Sequence, residues 1–285
     1  MMRFLGSTIL FPLLFPLLFP LVFALPSMAG AQVHLVDEGT FTLFENGERV
    51  GREDFSIRAA PGPGGSAFVA QGNVLIGNRR LSVALTADSA GFPLRYSLEE
   101  TRDGQPVERI AGEASRGVWR GRAVRPADES VREFRLPANT MALEDGVVHQ
   151  LWFVLQQVSG PPPTLLVPRA LTLRQVVVQD AGPDRVTIGL REVVARRWVI
   201  RAAGDSLPLR EAWTDLNGLL LRMRIPSEGL EALRDEPPAE VRSAGRAGRA
   251  GRAAARLRLQ DGVPSETPVG SGAYVTPEPF PQDIE

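Results

Sequence analysis

Apolar residues alternate with polar ones along most of the chain after residue 32, and this period of two constrains the fold most. In Phe92-Pro93-Leu94-Arg95-Tyr96-Ser97-Leu98, every second residue is large and apolar. That spacing predicts a β-strand with one buried and one exposed face. The alternation recurs in Phe41 and Leu43; Phe55 and Ile57; Leu81, Val83 and Leu85; Val186, Ile188 and Leu190; and Leu219, Leu221, Met223 and Ile225. Strands with one apolar and one polar face indicate an antiparallel sheet, because parallel sheets are covered on both faces and have apolar residues on both.

Turn-forming residues separate these stretches. Asn46-Gly47, Asp103-Gly104 and Asn217-Gly218 tolerate the positive φ that a tight chain reversal needs. Because the hairpins follow one another, the sequence predicts a meander.

One segment, residues 147–158, has the period of a helix instead. Its apolar residues Val148, Leu151, Trp152, Leu155 and Val158 recur at spacings of three and four. The prolines that follow Gly160 end it, because proline has no backbone N–H group. A helix with such an apolar stripe has to lie on something, and we expect it across the concave face of the sheet.

The N-terminus, residues 1–31, has the layout of a signal peptide. Arg3 precedes a long apolar run, and Ala29-Gly30-Ala31 supplies small residues for cleavage before Gln32. A retained membrane anchor is the alternative, although three prolines interrupt the run. The sequence therefore predicts a periplasmic or secreted protein without a stable transmembrane span after cleavage.

The C-terminus, residues 235–285, is rich in Arg, Gly and Pro and has few large apolar groups. We predict a disordered tail there, because it cannot bury enough surface to offset the entropy of ordering it. One curved antiparallel β-domain remains at residues 32–234, a length suited to a single core. The 32 basic and 33 acidic residues nearly cancel, which speaks against a nucleic-acid partner. The chain has no cysteine, which excludes a disulfide scaffold and a lipidated cysteine.

Two stretches carry a resemblance to known proteins: Phe41-Thr42-Leu43-Phe44-Glu45-Asn46-Gly47-Glu48-Arg49-Val50-Gly51 and Glu211-Ala212-Trp213-Thr214-Asp215-Leu216-Asn217-Gly218-Leu219-Leu220-Leu221-Arg222. With the central helix around His149, the order of elements over residues 35–234 resembles uncharacterised bacterial secreted proteins whose fold is similar to the periplasmic lipoprotein-localisation factors. The resemblance implies a strongly curved sheet, an incomplete β-barrel, with helical cover and an apolar interior able to take an acyl chain. It implies no catalytic residues.

Catalytic chemistry has little support. His34 and His149 are the only histidines, and no ligand spacing for a metal accompanies them. No Gly-x-Ser-x-Gly elbow accompanies His149, and Glu99 and Glu100, as neighbours in a strand, point to opposite faces. We therefore predict no enzyme, no metal and no cofactor, with a hydrolase as the least favoured hypothesis.

The large aromatic residues are the candidates for lining a ligand cavity. For each of them ordinary core packing is the alternative. The concave side of a curved sheet can be filled by side chains, by a helix or by a bound ligand. The predicted ligand-binding residues are Phe41, Phe55, Trp119, Trp152, Phe153, Trp198 and Trp213. The first hypothesis is a carrier of a lipid-like or other apolar molecule in the cell envelope. The second is an envelope assembly or interaction protein that uses strand edges and the C-terminal tail to contact a protein partner.

Overall fold

A computed structural model describes residues 33–62, 65–158 and 160–239. The predicted signal peptide at 1–31 and the predicted tail beyond residue 239 lie outside the described residues. The described part is mainly β, as predicted, with one short helix, α1 (Leu151–Leu155), and a single 3₁₀ turn at Pro226–Glu228. The strands are β1 (His34–Glu45), β2 (Glu48–Gly62), β3 (Gly65–Ile76), β4 (Arg79–Asp88), β5 (Pro93–Arg102), β6 (Gln105–Ser115), β7 (Val118–Arg125), β8 (Asp128–Arg135), β9 (Thr140–Ala142), β10 (Thr164–Val167), β11 (Thr172–Ile188), β12 (Arg191–Ala202), β13 (Arg210–Thr214), β14 (Leu220–Ile225) and β15 (Leu230–Arg234).

All fifteen strands belong to one sheet. Strands β1 to β8 form a meander on one side of β1, and β15 back to β10 form a second meander on its other side. The two meanders meet where β1 pairs with β15, with Phe41 opposite Arg234. Every pairing is antiparallel except that of β9 with β10, which is parallel. Among the described strands β8 and β9 are the two edges, and no pairing between them closes the sheet.

The predicted turns form as expected. Asn46 and Gly47 have φ angles of 51° and 86°, and Asp103 and Gly104 have φ angles of 51° and 78°. Two successive residues with positive φ match the right-handed twist of the flanking strands, and asparagine, aspartate and glycine adopt this conformation most readily.

The predicted alternation fails at Leu221. Trp213 pairs with Arg222 while Thr214 pairs with Leu220, so that Leu221 is the extra residue of a bulge. The bulge places Leu221 in a separate apolar cluster with Trp213, Val186, Ile188 and Ala195, whereas Met223 and Ile225 stay in the main core.

The helix is shorter than the predicted span of residues 147–158. Only Leu151–Leu155 is α-helical, and the preceding turn is a tighter one, in which Leu151 N–H donates to Val148 O and Trp152 N–H to His149 O. The N–H groups of Val148 and His149 donate to a side chain of β2 rather than to a preceding helical turn. The apolar period of segment 147–158 therefore marks a compact buried turn of which the α-helix is the middle part.

The main core draws on both meanders and on α1. Its largest fully buried side chains include Phe41 from β1, Leu85 from β4, Tyr96 from β5, Trp119 from β7 and Phe153 from α1. No helix among residues 33–62, 65–158 and 160–239 is long and apolar enough to cross a membrane.

Candidate functional site

Glu53 of β2 holds the start of segment 147–158. Its side chain is fully buried. Val148 N–H donates to Glu53 Oε2 at 2.6 Å, and His149 N–H donates to Oε1 at 2.9 Å. The ring Nδ1 of His149 also lies 2.6 Å from Oε1. Both carboxylate oxygens already accept from backbone N–H groups, so we assign the ring contact as a hydrogen bond donated by Nδ1.

The imidazole of His149 packs tightly between a ring and a glycine. Phe55 stacks on it with ring centroids 5.9 Å apart, and Phe41 stacks on Phe55 at 5.1 Å. A Cβ atom at position 72 would lie 2.5 Å from His149 Cε1. Glycine at this core-facing position of β3 therefore makes room for the histidine ring.

The Gln150 side chain is a hydrogen-bonding neighbour of the Tyr96 hydroxyl, whereas His149 Nε2 is buried without a partner among the described residues. The other end of the Gln150 amide is used, since Oε1 accepts from Glu144 N–H at 2.8 Å. Burial raises the pKa of the Tyr96 phenol well above its ordinary value, and the charges of Glu144 and Glu53 act in the same direction. The phenol therefore remains a neutral O–H group. A buried polar atom without a partner, such as His149 Nε2, costs about 1–3 kcal/mol.

Arg169 ties the connection between β10 and β11 to the other meander. Its Nη2 lies 2.9 Å from Glu100 Oε2 on β5, and its Nε lies 2.7 Å from Glu108 Oε2 on β6. Arg79 also binds Glu100 with two hydrogen bonds of 2.9 and 3.0 Å. Burial opposes ionisation, but the hydrogen bond and charge of Arg79, with the charge of Arg169, hold the pKa of Glu100 below its usual range. This network fastens β10 and β11 to β5 and β6.

The far end of segment 147–158 contacts turns of both meanders. Gln157 Nε2 donates to Ala90 O at 2.7 Å in the turn between β4 and β5. Gln156 Nε2 approaches Gly218 O at 3.5 Å in the turn between β13 and β14. Segment 147–158 is therefore held by side-chain contacts at both ends.

The predicted ligand-binding residues fall into two apolar clusters. Phe41, Phe55, Trp119, Trp152 and Phe153 share the main core cluster, and Trp198 packs against it while partly exposed. Within this group Trp152 and Phe153 meet edge to face at 5.0 Å. Trp213 lies in the second cluster. Seven residues predicted as one lining set are thus placed in two clusters, and their role toward a ligand stays a prediction.

Trp213 fastens the long hairpin of β11 and β12 to the neighbouring strands. Its Nε1 donates to Asp184 Oδ2 at 2.7 Å, and this hydrogen bond, helped by a second from Arg185 N–H, lowers the pKa of Asp184. The guanidinium groups of Arg197 and Arg222 lie 5.6 and 4.9 Å from the Trp213 ring. Cation–π contacts of this kind stabilise the packing of the β11–β12 hairpin against the neighbouring strands.

The described grooves lie on strands β3 to β8. One groove of about 590 Å³ is lined by Arg95, Ser97, Ala111, Arg120 and Arg122 among others. A second, of about 450 Å³, shares Ser97 and Ala111 with it. These side chains alternate with the buried core positions of the same strands, so the grooves lie on the solvent face. Ion pairs such as Arg122 with Glu129 at 2.8 Å cross this face.

Four buried polar residues at the site were not identified by the sequence patterns: Glu53, Tyr96, Glu144 and Gln150. A signal for Glu53 was present, because it occupies the same strand phase as Phe55 and Ile57 and must point into the core with them. No comparable signal marked Glu144 or Gln150, which lie in irregular structure.

No group of three or more His, Cys, Asp or Glu side chains suited to a metal ion occurs in the part of the chain that the structure describes. Comparison of the chain with protein-family models, with curated proteins and with solved structures finds no match.

Proposed function

We propose that the protein is a non-enzymatic binding or carrier protein of the bacterial cell envelope, which holds a lipid-like or other apolar molecule between a strongly curved sheet and segment 147–158. The observation that carries the proposal is the attachment of this segment. The segment packs on aromatic residues of the core, but it is attached to the sheet through side-chain hydrogen bonds. A glycine lies close to each of its ends.

Strong curvature is supported by the strand order. Strands β8 and β9 are the two edges of a fifteen-stranded sheet, which would be about 67 Å wide if it were flat, at roughly 4.8 Å for each strand spacing. However, β8 ends at Arg135 and β9 begins at Thr140. The residues between them can span at most about 18 Å. A sheet whose two edges are linked so closely has to bend.

Contacts between the two meanders support the same curvature. Besides the ion pairs of Arg169 with Glu100 and Glu108, Arg125 Nη2 on β7 donates to Arg169 O at 3.3 Å. Leu171 lies so close to β7 that a Cβ atom on Gly121 would be 2.5 Å from its Cδ2. These contacts join strands that are far apart in the order of the sheet.

Segment 147–158 has the attachments of a movable cover. The described backbone hydrogen bonds of its helical turns run within the segment or to its flanks, and its bonds to the strands and turns of the sheet are made by Glu53, Gln156 and Gln157 side chains. Gly146, with a φ angle of 79°, precedes it, and Gly160 follows it. The segment can therefore leave the core without breaking a strand ladder. Its departure would uncover Phe55, on which His149 stacks, and Phe68, against which Trp152 and Phe153 pack.

A tethering experiment tests this proposal. Ala90→Cys and Gln157→Cys place thiols on the two residues that the 2.7 Å hydrogen bond joins, in a chain that has no other cysteine. We expect the neutral apolar dye Nile red to bind the wild-type protein and the variant before cross-linking. A short bis-maleimide should then lower the affinity at least tenfold, because the tether keeps segment 147–158 closed on the core that the ligand has to reach.

The matched control joins two turns away from the segment. Asn78→Cys and Asp103→Cys replace a pair linked by a similar hydrogen bond of 2.8 Å, and their cross-link should leave dye binding unchanged. Dye binding that survives the 90–157 tether, or a wild-type protein that binds no dye and carries no apolar molecule in native mass spectrometry, would contradict the proposal.

Export is part of the proposal and rests on the composition of residues 1–31. It agrees with the resemblance to the secreted proteins described above. Expression with the full N-terminus in a Gram-negative host should give a periplasmic or secreted protein that begins at Gln32. Recovery of the uncleaved chain in the membrane fraction would contradict it.

The second candidate is a non-enzymatic assembly or interaction protein, and the edge strand β8 favours it. Val131, in the middle of β8, is 51 % exposed. Arg132 and Glu133 beside it discourage unspecific pairing at the edge, so a partner would have to match these charges. Purification of an empty protein with a stoichiometric envelope protein, lost on Val131→Pro, would favour this candidate over the carrier.

A further inference from the structure

Glu144 differs from the other buried acidic residues in having no ion pair. Six acidic side chains are buried among the described residues: Asp37, Glu53, Glu100, Glu108, Glu144 and Glu211. Five of them contact an arginine or, in the case of Glu53, the Nδ1 of His149. Glu144 is 1 % exposed, and within the described part of the chain it is bonded only by backbone N–H groups. A buried carboxylate without a counter-ion is costly when it is ionised.

Glu144 lies at the hinge of segment 147–158. Its Oε1 accepts a hydrogen bond from Asp145 N–H at 3.0 Å, and its Oε2 accepts one from Arg169 N–H at 2.8 Å. Its own N–H donates to Gln150 Oε1 at 2.8 Å, so the Gln150 side chain lies against it. Gly146, which has a positive φ angle, separates Glu144 from the segment. Movement of the segment about this glycine takes Gln150 away and admits water to the Glu144 carboxyl.

The charges around Glu144 do not offset its burial. Burial raises the pKa of the Glu144 carboxyl, the hydrogen bond and charge of Arg169 lower it, and the charge of Asp145 raises it again. The guanidinium of Arg169 is already shared between two glutamates of β5 and β6. Asp145 pairs with Arg210 of β13, and Tyr96 of β5 is a neutral phenol. The ionised form of Glu144 is therefore less stable under the segment than in water.

We propose that Glu144 makes the closure of segment 147–158 depend on pH: its protonated form keeps the segment closed, and its carboxylate favours release. The inference rests on the proposed function and adds the regulation of that site. Because the closed state binds the proton more tightly than the open state, closing takes up a proton and acidification favours it. A carrier of this kind opens more readily at neutral pH and retains its ligand at lower pH.

Thiol labelling measures the opening without any ligand. Leu155→Cys places a thiol at a position of the segment that is 5 % exposed, in a chain that has no other cysteine. The uncharged reagent 4,4′-dithiodipyridine should reach it only after the segment opens. We expect the labelling rate, taken relative to the unfolded protein at the same pH, to fall at least about fivefold from pH 7.5 to pH 5.0. Leu221→Cys is the matched control, because it is buried in the second cluster and its labelling should not show this fall.

Glu144→Gln replaces the carboxyl by a neutral group of nearly the same shape. It should remove the pH dependence and leave labelling slow at both pH values. Asp145→Asn is the matched control, because the Asp145 side chain is 64 % exposed and its replacement should leave the pH dependence in place. Urea unfolding gives a second measurement. The free energy of unfolding of the wild type, relative to Glu144→Gln, should rise as the pH falls from 7.5 to 5.0, because a raised pKa in the folded state makes protonation favour the fold.

The outcomes separate this inference from the proposed function. Labelling of Leu155→Cys that stays constant or rises on acidification, or a pH dependence that Glu144→Gln retains, would overturn the role of Glu144 while Nile red binding upheld the carrier. A wild type that loses stability relative to Glu144→Gln on acidification would overturn this role as well. Labelling that falls on acidification in a protein that binds no Nile red would overturn the carrier and support the pH-dependent closure.

Discussion

Replacing Glu53 by glutamine tests whether this carboxylate organises segment 147–158. The carboxylate accepts hydrogen bonds from Val148 N–H, His149 N–H and His149 Nδ1. Glutamine has nearly the same shape as glutamate, but its NH₂ group is a hydrogen-bond donor and would face the N–H donors of Val148 or His149. Hydrogen bonds to a charged group are worth about 1.5–3 kcal/mol each. Because one oxygen remains as an acceptor, we expect a loss of about 3 kcal/mol.

Urea unfolding followed by tryptophan fluorescence measures this loss. For a domain of this size, about 3 kcal/mol corresponds to a fall in the melting temperature of roughly 6–12 °C. Glu99→Gln is the control, since Glu99 is about half exposed in its ion pair with Arg109 at 3.1 Å and should contribute less than about 1 kcal/mol. The slope of the urea transition should stay constant. A loss for Glu53→Gln no larger than that of Glu99→Gln would refute this account of the buried pair.

Three further substitutions test other parts of the structure. Gly112→Ala should destabilise the fold by about 3 kcal/mol in urea unfolding, because the new Cβ would lie 1.9 Å from the Trp119 ring; a near-neutral effect would contradict this packing. Glu100→Gln should lower stability at pH 7, and this loss should shrink as the pH falls below 4.5. The lowered pKa of Glu100 stabilises the fold above its unfolded value of 4.5, and this contribution is lost as the pH falls through the folded-state pKa; a loss that does not change with pH would refute it. Trp213→Phe should speed hydrogen exchange in residues 182–195, because the hydrogen bond to Asp184 is removed; unchanged exchange would count against the hairpin contact.

The β-class and its turns could be read from local patterns. Alternation in β2 and β4 and the Asn46-Gly47 turn depend on the strand period and on backbone sterics, which act within a few residues. The limits of the helix could not be read in this way. Helical spacing extends over residues 147–158, but a carboxylate 95 residues earlier in the chain takes the first N–H groups and leaves only Leu151–Leu155 in α-helical form.

The candidate site was predicted in part. Phe41, Phe55 and Trp119 join the main core cluster from core-facing strand positions, and Trp152 and Phe153 join it from α1. Trp213 faces a different cluster, and Leu221 joins it there through the bulge opposite Thr214. A one-residue bulge reverses the side to which the following side chains point. The local spacing of apolar residues does not predict such a bulge.

Strand composition and turn chemistry act over short distances, and for that reason the chain alone specified an antiparallel, mainly β protein. The partners of the buried polar groups lie in distant parts of the chain, so only the tertiary structure determines them. Glu53 finds Val148 and His149, and Arg169 finds Glu100 and Glu108, through pairings that depend on the order of all fifteen strands. A buried charge needs its partner wherever the fold supplies one, and that place is a property of the tertiary structure.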